Sequence, residues 1–130
     1  MLRRTALLLA MLTTIAALAT GFWIPVKAEI AQILLERAWD QARAGKEDAR
    51  PWPWADTVPV ARLAVPALDV SWVVLAGASG RNLAFAPAHM DGSARPGEPG
   101  VTVIAGHRDT HFKMLEDLPL GTGILIEDEV

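Results

Sequence analysis

Val60-Ala61-Arg62-Leu63-Ala64-Val65-Pro66 is followed closely by Val70-Ser71-Trp72-Val73-Val74-Leu75-Ala76. The first segment alternates, as a strand with one buried face does, and Pro66 ends it because proline has no N–H for a ladder. The second is almost continuously apolar and rich in β-branched residues, which predicts a strand buried on both faces. Val101-Thr102-Val103-Ile104-Ala105 and Ile124-Leu125-Ile126-Glu127 read as a third and a fourth strand. Gly77 to Pro87 predicts a turn and a short helical piece, and Pro96-Gly97-Glu98-Pro99-Gly100 predicts successive turns within the segment from Asp91 to Gly100. His111 to Leu118 is expected to form a short helix with Phe112, Leu115 and Leu118 on one face. No long helical run follows residue 60, so this part is mainly β, a sandwich or a barrel. Four strands in roughly 70 residues make a thin core for a closed all-β domain. The chain also stops at Val130, directly after a strand, so the β domain is expected to be incomplete.

The amino-terminal part has a different character. Thr5 to Val26 is 22 residues without a charge, and about 20 helical residues span the hydrocarbon of a bilayer. Arg3 and Arg4 precede it, which keeps the amino terminus cytoplasmic and exports the rest of the chain. Phe22 and Trp23 stand where an interfacial aromatic anchor belongs. Ala17-Leu18-Ala19 offers the alternative of a cleaved signal peptide. The apolar run continues past it through Gly21-Phe22-Trp23-Ile24-Pro25-Val26, which favours an uncleaved anchor.

Lys27 to Ala44 predicts a helix with Ile30, Ile33, Leu34, Arg37, Ala38 and Gln41 on one face. It is expected to continue the membrane helix beyond a kink at Pro25 as a stalk, or to lie against the bilayer or the domain. Gly45 to Arg50 is a charged linker, and Pro51-Trp52-Pro53-Trp54 is extended because its prolines cannot sit inside a helix. The two tryptophans either stack on a peptide or glycan or pack on the domain they introduce, and their large area favours packing.

Composition narrows the chemistry. The chain has no cysteine, so no disulfide supports an exported domain here. From Val60 onward 5 Lys and Arg face 9 Asp and Glu, with no basic cluster, which argues against nucleic-acid binding. Only His89, His107 and His111 are available as imidazoles. His107 and His111 are four apart and, with His89 or Asp91, form the one candidate zinc set, but a strand end is a poor place for an i, i+4 ligand pair. Ser71, Ser79 and Ser93 lie outside any Gly-x-Ser-x-Gly turn, and Ser79 reads as a turn residue. His107 directly follows a strand, between Gly106 and Arg108, where catalytic side chains collect. Gly106 leaves room there for another backbone or a substrate to approach. His107 is therefore the candidate catalytic residue; no cofactor and no metal are expected.

The ordered series Val60 to Pro66, Ala67-Leu68-Asp69-Val70, Trp72 to Gly77, Leu83-Ala84-Phe85-Ala86-Pro87-Ala88-His89, Pro96 to Gly100 and Ile104 to Phe112 resembles the first half of a sortase. It is similar to the branch found in Gram-negative bacteria, which also opens with one membrane anchor and a Trp-Pro-Trp-like lead-in. The resemblance covers about Pro51 to Val130. It implies a cysteine transpeptidase on an eight-stranded β-barrel, whose thiolate attacks the Thr–Gly bond of an LPxTG-like sorting signal. The thioacyl enzyme is then resolved by an amine acceptor. It maps the family's histidine onto His107, the acid that protonates the leaving amine. The family's cysteine and arginine lie on later strands, and Arg108 is not that arginine.

The resemblance thus implies an incomplete sortase-like β-barrel preceded by a transmembrane helix and a helical stalk. Its parts are 1–26 as membrane anchor, 27–50 as stalk and linker, and 51–130 as the partial barrel. The expected location is the cell membrane, single-pass, with the globular part on the periplasmic face. Expected partners are a protein substrate carrying a C-terminal sorting signal, an amine acceptor and the membrane, and no nucleic acid. Without a thiol the chain is expected to be a truncated, inactive form. The alternative is a non-catalytic anchored β module that binds peptide or glycan.

Overall fold

The computed structural model describes the backbone of residues 2–129 and the side chains of residues 10–14 and 26–129. Two compact units result, Met1–Ala31 and Gln32–Val130. One helix, α1 (Leu2–Arg43), contributes to both.

In the first unit the Thr13 and Thr14 hydroxyls donate to the Ala10 carbonyl at 2.9 and 2.8 Å. This back-bonding satisfies hydroxyls within the uncharged stretch of the helix. Met11 and Leu12 are exposed. Among the described residues no helix is long and apolar enough to cross a membrane. Most side chains of the expected anchor, that of Pro25 included, lie outside the described residues, while the backbone stays helical through Pro25.

In the second unit α1 ends as glycine-capped helices do. Gly45 takes φ +88°, its N–H donates to the Ala42 carbonyl at 2.9 Å, and the Lys46 N–H donates to the Gln41 carbonyl at 3.0 Å. These paired bonds satisfy carbonyls left without helical partners. The helix face that meets the sheet carries Leu35 and Trp39, both buried. Of the stripe expected from spacing, Ala38 is buried and Ile33 is exposed. The four-residue step to Trp39 has more apolar area to bury than Ile33, and the larger ring sets the rotation of the helix. This end of the helix lies against the domain.

The sheet has five strands, β1 (Pro59–Val65), β2 (Val70–Ala76), β3 (Ala88–His89), β4 (Ile104–Ala105) and β5 (Leu125–Asp128), in the order β4-β3-β2-β1-β5. All neighbours are antiparallel except β2 and β3. Asp69 makes the β1–β2 hairpin possible by taking φ 52°, a left-handed conformation that aspartate tolerates. The connection from β2 to β3 contains a short helix, α2 (Gly80–Leu83), which Ser79 caps by accepting the Asn82 N–H at 3.2 Å. The buried Asn82 side chain then donates to the carbonyls of Ala76 and Gly77 at 3.1 and 2.8 Å, closing the turn that re-aims the chain.

Both faces of β2 are covered at its centre, as its apolar run requires. Val73 and Leu75 pack with Leu35, Trp39, Ala86 and Ala88, while Val74 packs with Val60, Ala61, Leu63 and Val65. Arg62 points from β1 to the helix side, where it pairs with Glu36 and lies 5.7 Å from the Trp39 ring centre. Trp52 packs edge-on to Phe85 with ring centres 5.0 Å apart, whereas Trp54 is 80% exposed.

The sheet is open, as expected of an incomplete barrel: β4 and β5 each have one neighbour. Two expectations need correction. The third strand keeps only Ile104 and Ala105 of the expected five residues. Before them the chain is held by loop bonds, with the Val103 and Val101 carbonyls accepting the N–H groups of Met90 and Ala94 at 2.9 and 3.0 Å. The helix expected over 111–118 is a 3-10 turn, Lys113–Glu116, and Met114 rather than Leu115 packs with Phe112 and Leu118.

Candidate functional site

The chain turns sharply where β4 ends. The His107 carbonyl accepts the N–H groups of Thr110 and Phe112 at 3.3 and 3.1 Å, which folds residues 107–112 into a tight loop. The His107 N–H donates to Nδ1 of His111 at 3.4 Å. Both backbone polar groups of His107 are therefore held, while its imidazole is exposed to solvent. An exposed imidazole on a fixed backbone can give and take protons at a defined place.

Gly106 has a cause in this packing. A Cβ there would meet Cε2, Cδ2 and Cζ of Phe112 at 2.6, 2.8 and 2.9 Å. The room that Gly106 leaves is taken on this side by the Phe112 ring. Phe112 in turn joins Val74, Leu63 and Ile104 on one face of the sheet, so core packing fixes the loop.

His111 is buried, and its ring stands edge-on to Trp72 with centres 5.1 Å apart. Burial holds its pKa below the usual 6.5, and the nearby charge of His107 lowers it further; the Phe85 backbone acts in the opposite direction. Trp72 Nε1 is buried without a hydrogen-bond partner among the described residues.

The expected alternatives find little support. His111 Nδ1 is occupied by the His107 amide, so the pair does not present two free ligand nitrogens. Among the described residues no group of three His, Asp or Glu side chains could hold a metal ion. His89 lies elsewhere, with Nε2 2.9 Å from both the Ala94 carbonyl and the Ser93 hydroxyl. A carbonyl can only accept, so Nε2 carries the proton and cannot serve Ser93 as a base. Ser93 itself donates to the Met90 carbonyl at 2.8 Å and accepts the Val103 N–H at 3.2 Å. This group ties β3 to the following loop. Ser79 is a helix cap and Ser71 lies beside Arg62, 3.1 Å away. Arg108 is 2.9 Å from its neighbour Asp109, both exposed, and a pair of that kind adds little.

Spacing pointed to His107 but gave no sign of what supports it. His111 read as half of a ligand pair, and Trp72 and Phe112 read as ordinary core. The usable signal was a histidine followed directly by an apolar ring, His111-Phe112, between two strands.

The open mixed sheet has a sortase-like fold by its similarity to solved structures. Sortase A from Corynebacterium diphtheriae is similar at 28% identity and a TM-score of 0.51, over 58% of this chain and 38% of that one. A Clostridium perfringens sortase D5 transpeptidase is similar at 27% identity and a TM-score of 0.52, over 56% of this chain and 48% of that one. Sortase C-3 from Streptococcus pneumoniae, 22% identical with a TM-score of 0.51 over 78% of this chain and 58% of that one, shares the fold. The family model described as the Sortase domain matches residues 63–130. The chain belongs to the sortase family. It spans less than half the length of the first two of these relatives. No curated protein matches it.

Proposed function

We propose that the chain carries the histidine part of a sortase active centre, with His107 as the acid that protonates the amine leaving a Thr–Gly bond. The observation that supports this reading is the exposed His107 imidazole on a backbone held at both its N–H and its carbonyl. In the reaction a cysteine thiolate adds to the threonine carbonyl carbon of an LPxTG-like signal. The C–N bond breaks, the glycine nitrogen leaves with the His107 proton, and a thioacyl enzyme remains. An amine acceptor then attacks the thioester and loses a proton to His107, and the thiolate departs.

The chain has no cysteine, so it cannot form the thioester alone, and by itself it is inactive. In this reading the thiol and the oxyanion-stabilising arginine come from polypeptide outside these 130 residues. Residues 1–26 anchor the protein in the membrane, residues 27–50 follow as stalk and linker, and residues 51–130 form part of the barrel outside the cytoplasm. The uncharged run from Thr5 to Val26 and the exposed Met11 and Leu12 support the anchor. The alternative of a peptide- or glycan-binding module would use Trp52 and Trp54, but Trp52 already packs on Phe85.

The test compares transfer of an LPxTG-like peptide to an amine by this chain and by the product of its coding frame read past Val130. This chain should show none. The longer product should turn over and lose at least about 100-fold in activity with His107→Ala. A longer frame without a Thr-x-x-Cys strand and a later arginine refutes the reading. Turnover that survives the substitution refutes it equally.

A further inference from the structure

His111 has a place that a core histidine does not require. Its ring is buried against Trp72, yet Nδ1 points back along the chain to the backbone of His107. A ring nitrogen that accepts an N–H carries no proton, so the proton of neutral His111 is on Nε2. Nε2 is then the ring atom left to donate. The imidazole thereby ties the His107 backbone at the end of β4 to the Trp72 ring on β2. An aliphatic residue could fill the same volume but could not accept the His107 N–H.

We propose that His111 is the positioning residue for His107: its unprotonated Nδ1 holds the His107 N–H and so sets the direction in which the exposed imidazole leaves the sheet. The proposal rests on the reading of His107 as the working acid. With the carbonyl side already held by the Thr110 and Phe112 N–H groups, the N–H is the one backbone group of His107 whose partner is a side chain. That makes the contact open to substitution without rebuilding the loop.

The experiment is nitrogen-15 NMR on the full chain in detergent micelles. In the unmodified protein His111 should show an unprotonated Nδ1 and a protonated Nε2. His111→Phe keeps an aromatic ring beside Trp72 and removes the acceptor. It should speed hydrogen exchange at the His107 amide by about five- to tenfold, the loss of one hydrogen bond. The Leu75 amide, bonded to the Pro87 carbonyl at 2.9 Å in the core, is the control and should not change. His111→Asn puts Oδ1 where Nδ1 stands and should bring exchange back to within about twofold of the original.

A protonated Nδ1 in the unmodified protein overturns the proposal. So does a Phe variant with unchanged His107 exchange, or an Asn variant as fast as the Phe variant. If neither variant folds, the ring-nitrogen spectrum of the unmodified chain decides alone. None of these readouts requires His107 to be catalytic, so failure here is distinct from failure of the turnover test.

Discussion

Replacing Gly106 by alanine tests the core of this site directly. The added methyl would lie 2.6, 2.8 and 2.9 Å from three atoms of the Phe112 ring. Carbon atoms normally rest about 3.5 Å or more apart, so the ring must retreat by roughly 0.9 Å. A gap of about that size forfeits a quarter to a half of the contact energy on the vacated side, roughly 1 kcal/mol for a packed phenyl ring. Overpacking strain adds about 1 kcal/mol more. Gly106 does not have a positive φ, so the alanine backbone itself costs nothing special. The sum is about 2 kcal/mol, a roughly 30-fold fall in the ratio of folded to unfolded protein. Urea unfolding followed by tryptophan fluorescence, in mild detergent, reads it. The same substitution in a Phe112→Ala background should cost less than about 0.5 kcal/mol, because the methyl then enters vacated space. A Gly106→Ala protein as stable as the original refutes the reasoning. An equal cost with and without the Phe112 ring refutes it too.

Trp39→Ala should destabilise the second unit by about 3–5 kcal/mol in the same assay, since Trp39 is only 1% exposed and covers Val73 and Leu75. Loss of secondary structure by circular dichroism would be the outcome if total stability is smaller than that. The pH dependence of stability should carry a His111 component. Its folded pKa lies below the unfolded value near 6.5, so the unfolded state takes up the proton first as pH falls. The stabilisation is complete above about 6.5 and is lost as pH drops through the folded pKa. His111→Asn should flatten this part of the profile, and an unchanged slope would show that other groups carry it.

The strands β1, β2 and β5 were legible because their signals are local: alternation, β-branched runs and bounding Pro or Gly within a few residues. The double burial of β2 followed from its unbroken apolar run. Strand β3 was not legible, since two residues, Ala88 and His89, give no periodicity, and their strand character comes from pairing with Leu75 and Ala76. The helix register was half legible. Spacing predicted an amphipathic segment, but the contest between Ile33 and Trp39 was decided by which side chain had a sheet to cover.

The order of residues alone establishes that one imidazole stands at a strand end after a glycine, that no thiol exists in these 130 residues, and that the β segments fall into the sortase order. Packing in three dimensions settles that the sheet stays open, that Phe112 fills the space over Gly106, and that His111 holds the His107 amide. Strand and turn signals are written within a few consecutive residues, so a chain can be read for them directly. The ring contacts and the His111 bond depend on how a loop folds back onto a sheet whose strands lie far apart in the chain, and only the assembled packing fixes that.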